Sequence, residues 1–144
     1  MSIAHKDRIL KALDQMRLGL LPFVQAEMTA VFKDRWQEEL ANRTRAELVR
    51  GELRLDVQAL LKAINGCWEE VFKHQLDRGH RNFVHEAVDV RNKFAHDHVW
   101  SGDDTDRALD TIGRLLAAVG ATSSWFTVPR LRGSRADLVL RWRT

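Results

Sequence analysis

Cysteine occurs once in this 144-residue chain, at Cys67, which excludes an internal disulfide framework. No apolar run reaches the roughly 20 residues a membrane-spanning helix needs. The opening Met1-Ser2-Ile3-Ala4-His5-Lys6-Asp7 has no signal-peptide apolar stretch. A cytoplasmic protein without a membrane partner is therefore the expectation. There is no Cys-x-x-Cys pair, and no glycine-rich loop leads into Lys-Ser or Lys-Thr, which excludes the phosphate-cradling loop of P-loop NTPases. Internal repeats and low-complexity tracts are absent as well.

What is present reads as one folded domain. The length is that of a single domain able to bury a core without staples. With 44% apolar and 30% charged residues, disorder is not the default. The net charge of +3 is uneven. From Ala121 onward, Arg130, Arg132, Arg135, Arg141 and Arg143 stand against Asp137 alone, giving that segment +4 and residues 1–120 a charge of −1. The expected division is a helical domain over 1–120 and a basic tail or linker over 121–144. Such a tail adds nonspecific nucleic-acid affinity or is a solvated linker.

Apolar spacing predicts helices through most of the chain. Ile3, Ile9, Leu10, Leu13, Met16 and Leu20 recur at helical steps from Ser2 to about Leu18. Gly19 is expected to interrupt this helix and Pro22 to start a second. That second helix carries Phe23, Val24, Met28, Val31, Phe32 and Trp36 to about Leu40–Arg45. Asn42–Leu53 is charged and ambiguous. Asp56 suits an N-cap before Val57, Leu60, Leu61 and Ile64. Asn65-Gly66 breaks that helix, and Trp68, Val71 and Phe72 continue as a short turn. Asp77–His80 reads as a linker to a helix from about Arg81, with Phe83, Val84, Ala87, Val88, Phe94 and Ala95 toward the core. Ser101 and Asp104 resemble a capping box for a last helix bearing Ala108, Leu109, Ile112, Leu115, Leu116 and Val119. Gly120 stops it. Trp125–Pro129 and Leu138–Trp142 look extended. The fold class is all-α, a bundle of about five helices with an irregular or extended C-terminal tail.

Metal chemistry finds little support. His85-Glu86-Ala87-Val88-Asp89 begins like a zincin helix, but Asp89 stands where the second histidine belongs. His96-Asp97, near His80, His85, His98, Asp103, Asp104 and Asp106, invites an HD-type metal site, yet the spacings give no common helix face. No metal and no cofactor is expected.

Arg91-Asn92-Lys93-Phe94-Ala95-His96 is more telling. An arginine and a histidine near a helix end are common, and the macrodipole alone favours His there. Five helical steps separate Arg91 from His96 by roughly 140°. Asn92 and His96 share a face, as does Asp89, so a polar strip lies beside Arg91. Across a two-fold axis, two such strips would assemble two arginines and two histidines. Among the tryptophans, Trp36 and Trp68 fall on apolar faces and read as core. Trp100 is a candidate for the site margin. Arg107 and Arg114 share one face of the last helix, as RNA-phosphate contacts or as partners of Asp103 and Asp110.

Arg-Asn-x-x-x-His resembles the motif of HEPN domains. The stretches Leu20–Val24, Leu55–Leu61, Trp68–Phe72, Val90–His96, Asp103–Asp110 and Arg114–Leu116 are similar to the Swt-type HEPN branch, over about residues 5–120. That branch occurs in a transcript-surveillance endoribonuclease and at the N-termini of prokaryotic helicases and ATPases. Phe94 stands where the branch often has tryptophan, and the tail has no counterpart. The resemblance implies a metal-independent endoribonuclease, a homodimer acting on RNA, in a toxin–antitoxin or antiviral-defence setting. It implies His96 as general acid or base at the ribose 2′-hydroxyl, Arg91 on the scissile phosphate, and Asn92 orienting either. Lys93, His98, Arg107 and Arg114 are the candidate RNA-binding residues. HEPN domains also serve without catalysis, as dimerisation or docking modules, so an antitoxin or a helicase/ATPase partner stays open.

Overall fold

The apolar rhythm from Ile9 runs through Ala12, Leu13, Met16, Leu20, Phe23, Val24 and Met28 without losing step, and all of these are buried. A computed structural model, which describes residues 2–126, accordingly shows one helix, α1 (Ser2–Phe32), where two were expected. Gly19 does not break it. A Cβ at Gly19 would overlap the Leu116 side chain and press on Ala121, so the glycine lets α1 and the far end of the bundle close on each other. Pro22 removes one helical N–H. It and Leu18, whose carbonyl loses that donor, are exposed, so the carbonyl is not sealed in the core.

A 3₁₀ turn (Lys33–Arg35) leads into α2 (Trp36–Thr44), closed by Arg45 at φ 59°. The ambiguous stretch is a small antiparallel hairpin, β1 (Leu48–Val49) and β2 (Glu52–Leu53), pairing Leu48 with Leu53 and Val49 with Glu52. Arg50 and Gly51 both have positive φ (55° and 79°), the requirement of a tight type I′ connection. Gln37 Oε1 accepts from the Leu53 N–H at 2.9 Å and pins the hairpin to α2.

Asp56 caps α3 (Val57–Gly66) by accepting from the Ala59 N–H, as expected. Helix α4 (Arg78–Ala95) begins earlier than expected. Asp77 is its N-cap, and His80 returns a bond to the Asp77 N–H, closing a capping box in the segment read as linker. The usual capping box has Glu or Gln at the third position, and histidine takes that role here. Ser101 caps α5 (Gly102–Ala118), and Gly120 turns the chain at φ 79°.

Helix α1 packs on α3 and α5, and α4 packs on the same two, so the four form a closed ring around one core. Phe72 fills its middle, its ring 5.7 Å from that of Phe23. Each fully buried large side chain contributes about 1.5–3 kcal/mol. Trp68 is buried and Trp36 is half-buried against the core. Beyond α5, Trp125 donates its indole N–H to the Leu109 carbonyl at 2.6 Å, and Phe126 occupies space that any side chain at position 113 would take. Of the extended segments expected at Trp125–Pro129 and Leu138–Trp142, Trp125 and Phe126 are in no strand, and residues 127–129 and 138–142 lie outside the described residues.

Candidate functional site at the end of helix α4

Helix α4 buries Val84, Ala87 and Val90, with Val88 and Phe94 packed half-buried against the core. Ala95, expected toward the core, is exposed instead. The buried row advances in short steps from Val84 to Val90 and on to Phe94, which leaves Ala95 on its outer margin, one turn after half-buried Arg91.

The helix ends on a Schellman motif. His96 is the C-cap (φ −103°, ψ 25°), its N–H bonding the carbonyls of Asn92 and Lys93 at 3.1 and 3.2 Å. The Asp97 N–H reaches Phe94 at 3.4 Å, and the His98 N–H reaches Lys93 at 3.0 Å. These two bonds define the motif. Asp97 takes the left-handed position at φ 53°, a slot glycine usually fills and Asp tolerates. The motif thus fixes where His96, Asp97 and His98 stand.

Two neighbours brace this turn. From α1, Lys6 Nζ lies 2.9 Å from Asp97 Oδ1 and 5.6 Å from the Phe94 ring centre. Hydrogen bonding from Lys6 and its charge hold the Asp97 carboxyl below the usual range. From α5, Asp104 Oδ2 lies 3.2 Å from His98 Nε2, and that bond lowers the Asp104 carboxyl as well. The His98 ring stands edge-on to Trp100, centroids 4.8 Å apart. Trp100 is buried beneath it and does not present a face to ligand.

The expected site residues divide sharply. Lys93 pairs with Asp89 at 3.3 Å, Arg114 with Asp110 at 2.7 Å, and Arg107 with Glu86 of α4 at 2.6 Å. Asp89 therefore serves Lys93 rather than His96. Arg91, Asn92 and His96 are different: no described residue hydrogen-bonds or ion-pairs with their side chains. Arg91 and Asn92 are half-buried and His96 is exposed. None of them lines the groove of about 680 Å³ that α1 forms with residues 119–122. Among the described residues no three His, Cys, Asp or Glu side chains gather as a metal site would require.

Family comparison covers the stretch that carries this motif. The family model described as Swt1-like HEPN matches residues 11–120. The chain belongs to the Swt1-like HEPN family. No curated protein and no solved structure matches it. The HEPN match spans α1 to α5 and so includes Arg91–His96. It begins after Lys6, which sequence reasoning also missed. No local pattern links Lys6 to a carboxylate 91 positions away. Sequence reasoning places Asp104 in a capping box with Ser101 and among the acids near His96-Asp97, but not on His98, because that pairing depends on how the intervening loop folds back.

Proposed function

We propose that this HEPN domain is a metal-independent endoribonuclease that acts as a homodimer. The observation that carries the reading is the free trio of Arg91, Asn92 and His96, on a surface where Lys6, Lys93, Arg107 and Arg114 each have a carboxylate. Polar side chains without a protein partner, half-buried at Arg91 and Asn92 and exposed at His96, are available to a ligand. The trio sits on a helix end and does not line the groove between α1 and residues 119–122, so a second copy related by a two-fold axis would enclose it.

In this reading His96 takes the proton of the ribose 2′-hydroxyl, whose oxygen attacks the adjacent phosphorus. Arg91 presents its planar fork to the phosphate and offsets the charge that builds there. Asn92 orients the phosphate or the imidazole. The products are a 2′,3′-cyclic phosphate and a 5′-hydroxyl end. Lys93, His98, Arg107 and Arg114 border the path of the flanking RNA, and the long cations Lys93, Arg107 and Arg114 exchange their carboxylates for phosphate. A toxin or phage-defence role, with an antitoxin as partner, fits such an activity.

A second reading rests on Val99, which is 78% exposed three residues after His96. An apolar side chain so placed suits a docking face for a helicase or ATPase. The deciding experiment is RNA cleavage by purified protein in EDTA beside His96→Ala, with sedimentation of both. Cleavage lost in the variant supports the nuclease. A monomer at tens of micromolar, or no turnover of any RNA, favours docking.

A further inference from the structure

Cleavage through the 2′-hydroxyl moves two protons. One leaves the attacking oxygen, and another must reach the 5′-oxygen as its bond to phosphorus breaks. His96 accounts for one of them. Arg91 cannot supply the other, because a guanidinium stays protonated throughout the working range.

Five other histidines are present. His80 is committed to the capping box at the opposite end of α4. His85 lies on α4 about three turns before His96, and His74 lies in a separate 3₁₀ turn (Phe72–His74) between α3 and α4. His5 has its Nδ1 buried. His98 is two residues from His96, so their Cα atoms are within about 7 Å.

His98 is also held in an unusual way for a surface histidine. The Schellman bond to Lys93 fixes its backbone, and the buried Trp100 indole supports its ring. Asp104 engages its Nε2 at 3.2 Å and is itself placed by the Ser101 cap, whose Oγ accepts the Asp104 N–H at 3.0 Å. The side chain nevertheless stays 32% exposed. A carboxylate on Nε2 selects the tautomer and fixes the ring orientation, leaving Nδ1 for proton transfer. The other charged groups around this turn are His96, Asp97 with Lys6, and Lys93 with Asp89.

We infer that His98, backed by Asp104, is the general acid of the composite site, protonating the departing 5′-oxygen. This rests on the nuclease reading above. The step balances. The 2′-hydroxyl proton passes to His96, the 2′-oxygen bonds to phosphorus, the phosphorus–O5′ bond breaks, and the Nδ1 proton of the His98 imidazolium goes to O5′. His96 ends protonated and His98 neutral, and exchange with solvent restores both. Asp104 is a positioning residue that acts through His98.

The test compares two RNAs in EDTA with the intact dimer. One is ordinary, and the other carries sulfur in place of the 5′-bridging oxygen at the mapped cleavage position. Sulfur departs as thiolate and needs no proton. His98→Ala should slow the ordinary RNA about a hundredfold or more while cleaving the sulfur-bridged RNA nearly as fast as wild type. It should also lose the alkaline limb of the pH–rate profile on ordinary RNA. His96→Ala should lose both substrates, and Asp104→Asn should show a smaller loss confined to ordinary RNA. Equal loss on both substrates in His98→Ala, or loss on neither, overturns the inference and leaves the nuclease standing. Wild type that cleaves neither RNA overturns the nuclease reading, and this one with it.

Discussion

Lys6 Nζ touches Asp97 Oδ1 at 2.9 Å while sitting over the Phe94 ring, so one side chain of α1 grips the turn that carries His96 from two sides. Both partners are substantially exposed, so salt weakens the pairing. Its effect is local: it favours the left-handed Asp97 backbone on which the positions of His96 and His98 depend.

The Lys6–Asp97 pair predicts a definite pH dependence. Lys6 holds the Asp97 carboxyl below its ordinary value, so the pair stabilises the folded state above the usual carboxylate pKa of about 3.9. That contribution disappears as the pH falls through the lowered value. The melting-temperature gap between wild type and Lys6→Ala should be present at neutral pH, shrink in molar salt and close in acid. NMR titration should find the Asp97 carboxyl moved upward in Lys6→Ala. A gap that persists unchanged in acid would assign it to lost packing on Phe94.

Gly19→Ala should destabilise the protein even though alanine is the better helix former. The propensity gain is about 1 kcal/mol. Against it stands a Cβ overlapping Leu116 and crowding Ala121, and such overpacking costs about 1–3 kcal/mol. Denaturant unfolding would decide, and an alanine variant more stable than wild type would show that the bundle yields there.

Asp77→Ala removes the acceptor half of the α4 capping box and should cost about 1 kcal/mol. Hydrogen exchange should quicken at the His80 amide and its neighbours, while the Schellman turn at the other end of α4 keeps its protection. Equal loosening at both ends would mean the helix opens as one unit.

Arg91→Lys and Arg91→Ala should both lose most RNA turnover, because an ammonium cannot present two parallel donors to a phosphate. Stability should change little in either, within about 0.5 kcal/mol, since no described residue pairs with the guanidinium. Full turnover by Arg91→Lys would demote Arg91 to a general cation, and a large loss of stability would make it structural.

Local pattern alone determined much of this protein. The apolar steps of α3, α4 and α5, the caps Asp56 and Ser101, the stop at Gly120 and the Arg-Asn-x-x-x-His motif are all short-range features. Each acts within a turn or two of chain, where propensity and side-chain-to-backbone bonding operate. Tertiary contact decided the rest. The steps from Met16 to Leu20 to Phe23 already kept helical register across Gly19 and Pro22, but those two residues argued locally for a break. The structure shows α1 unbroken there, and Leu116 and Ala121 closing on the bare Cα of Gly19 supply a packing reason for the glycine that no local signal carries. The division among the cations is likewise nonlocal. Arg107 is occupied because α4 brings Glu86 against α5, Lys6 because α1 crosses the end of α4, and Arg91 is left free because no carboxylate of the described chain comes to it. Periodicity states which residues face inward; which charges find partners depends on helices far apart in sequence being packed side by side.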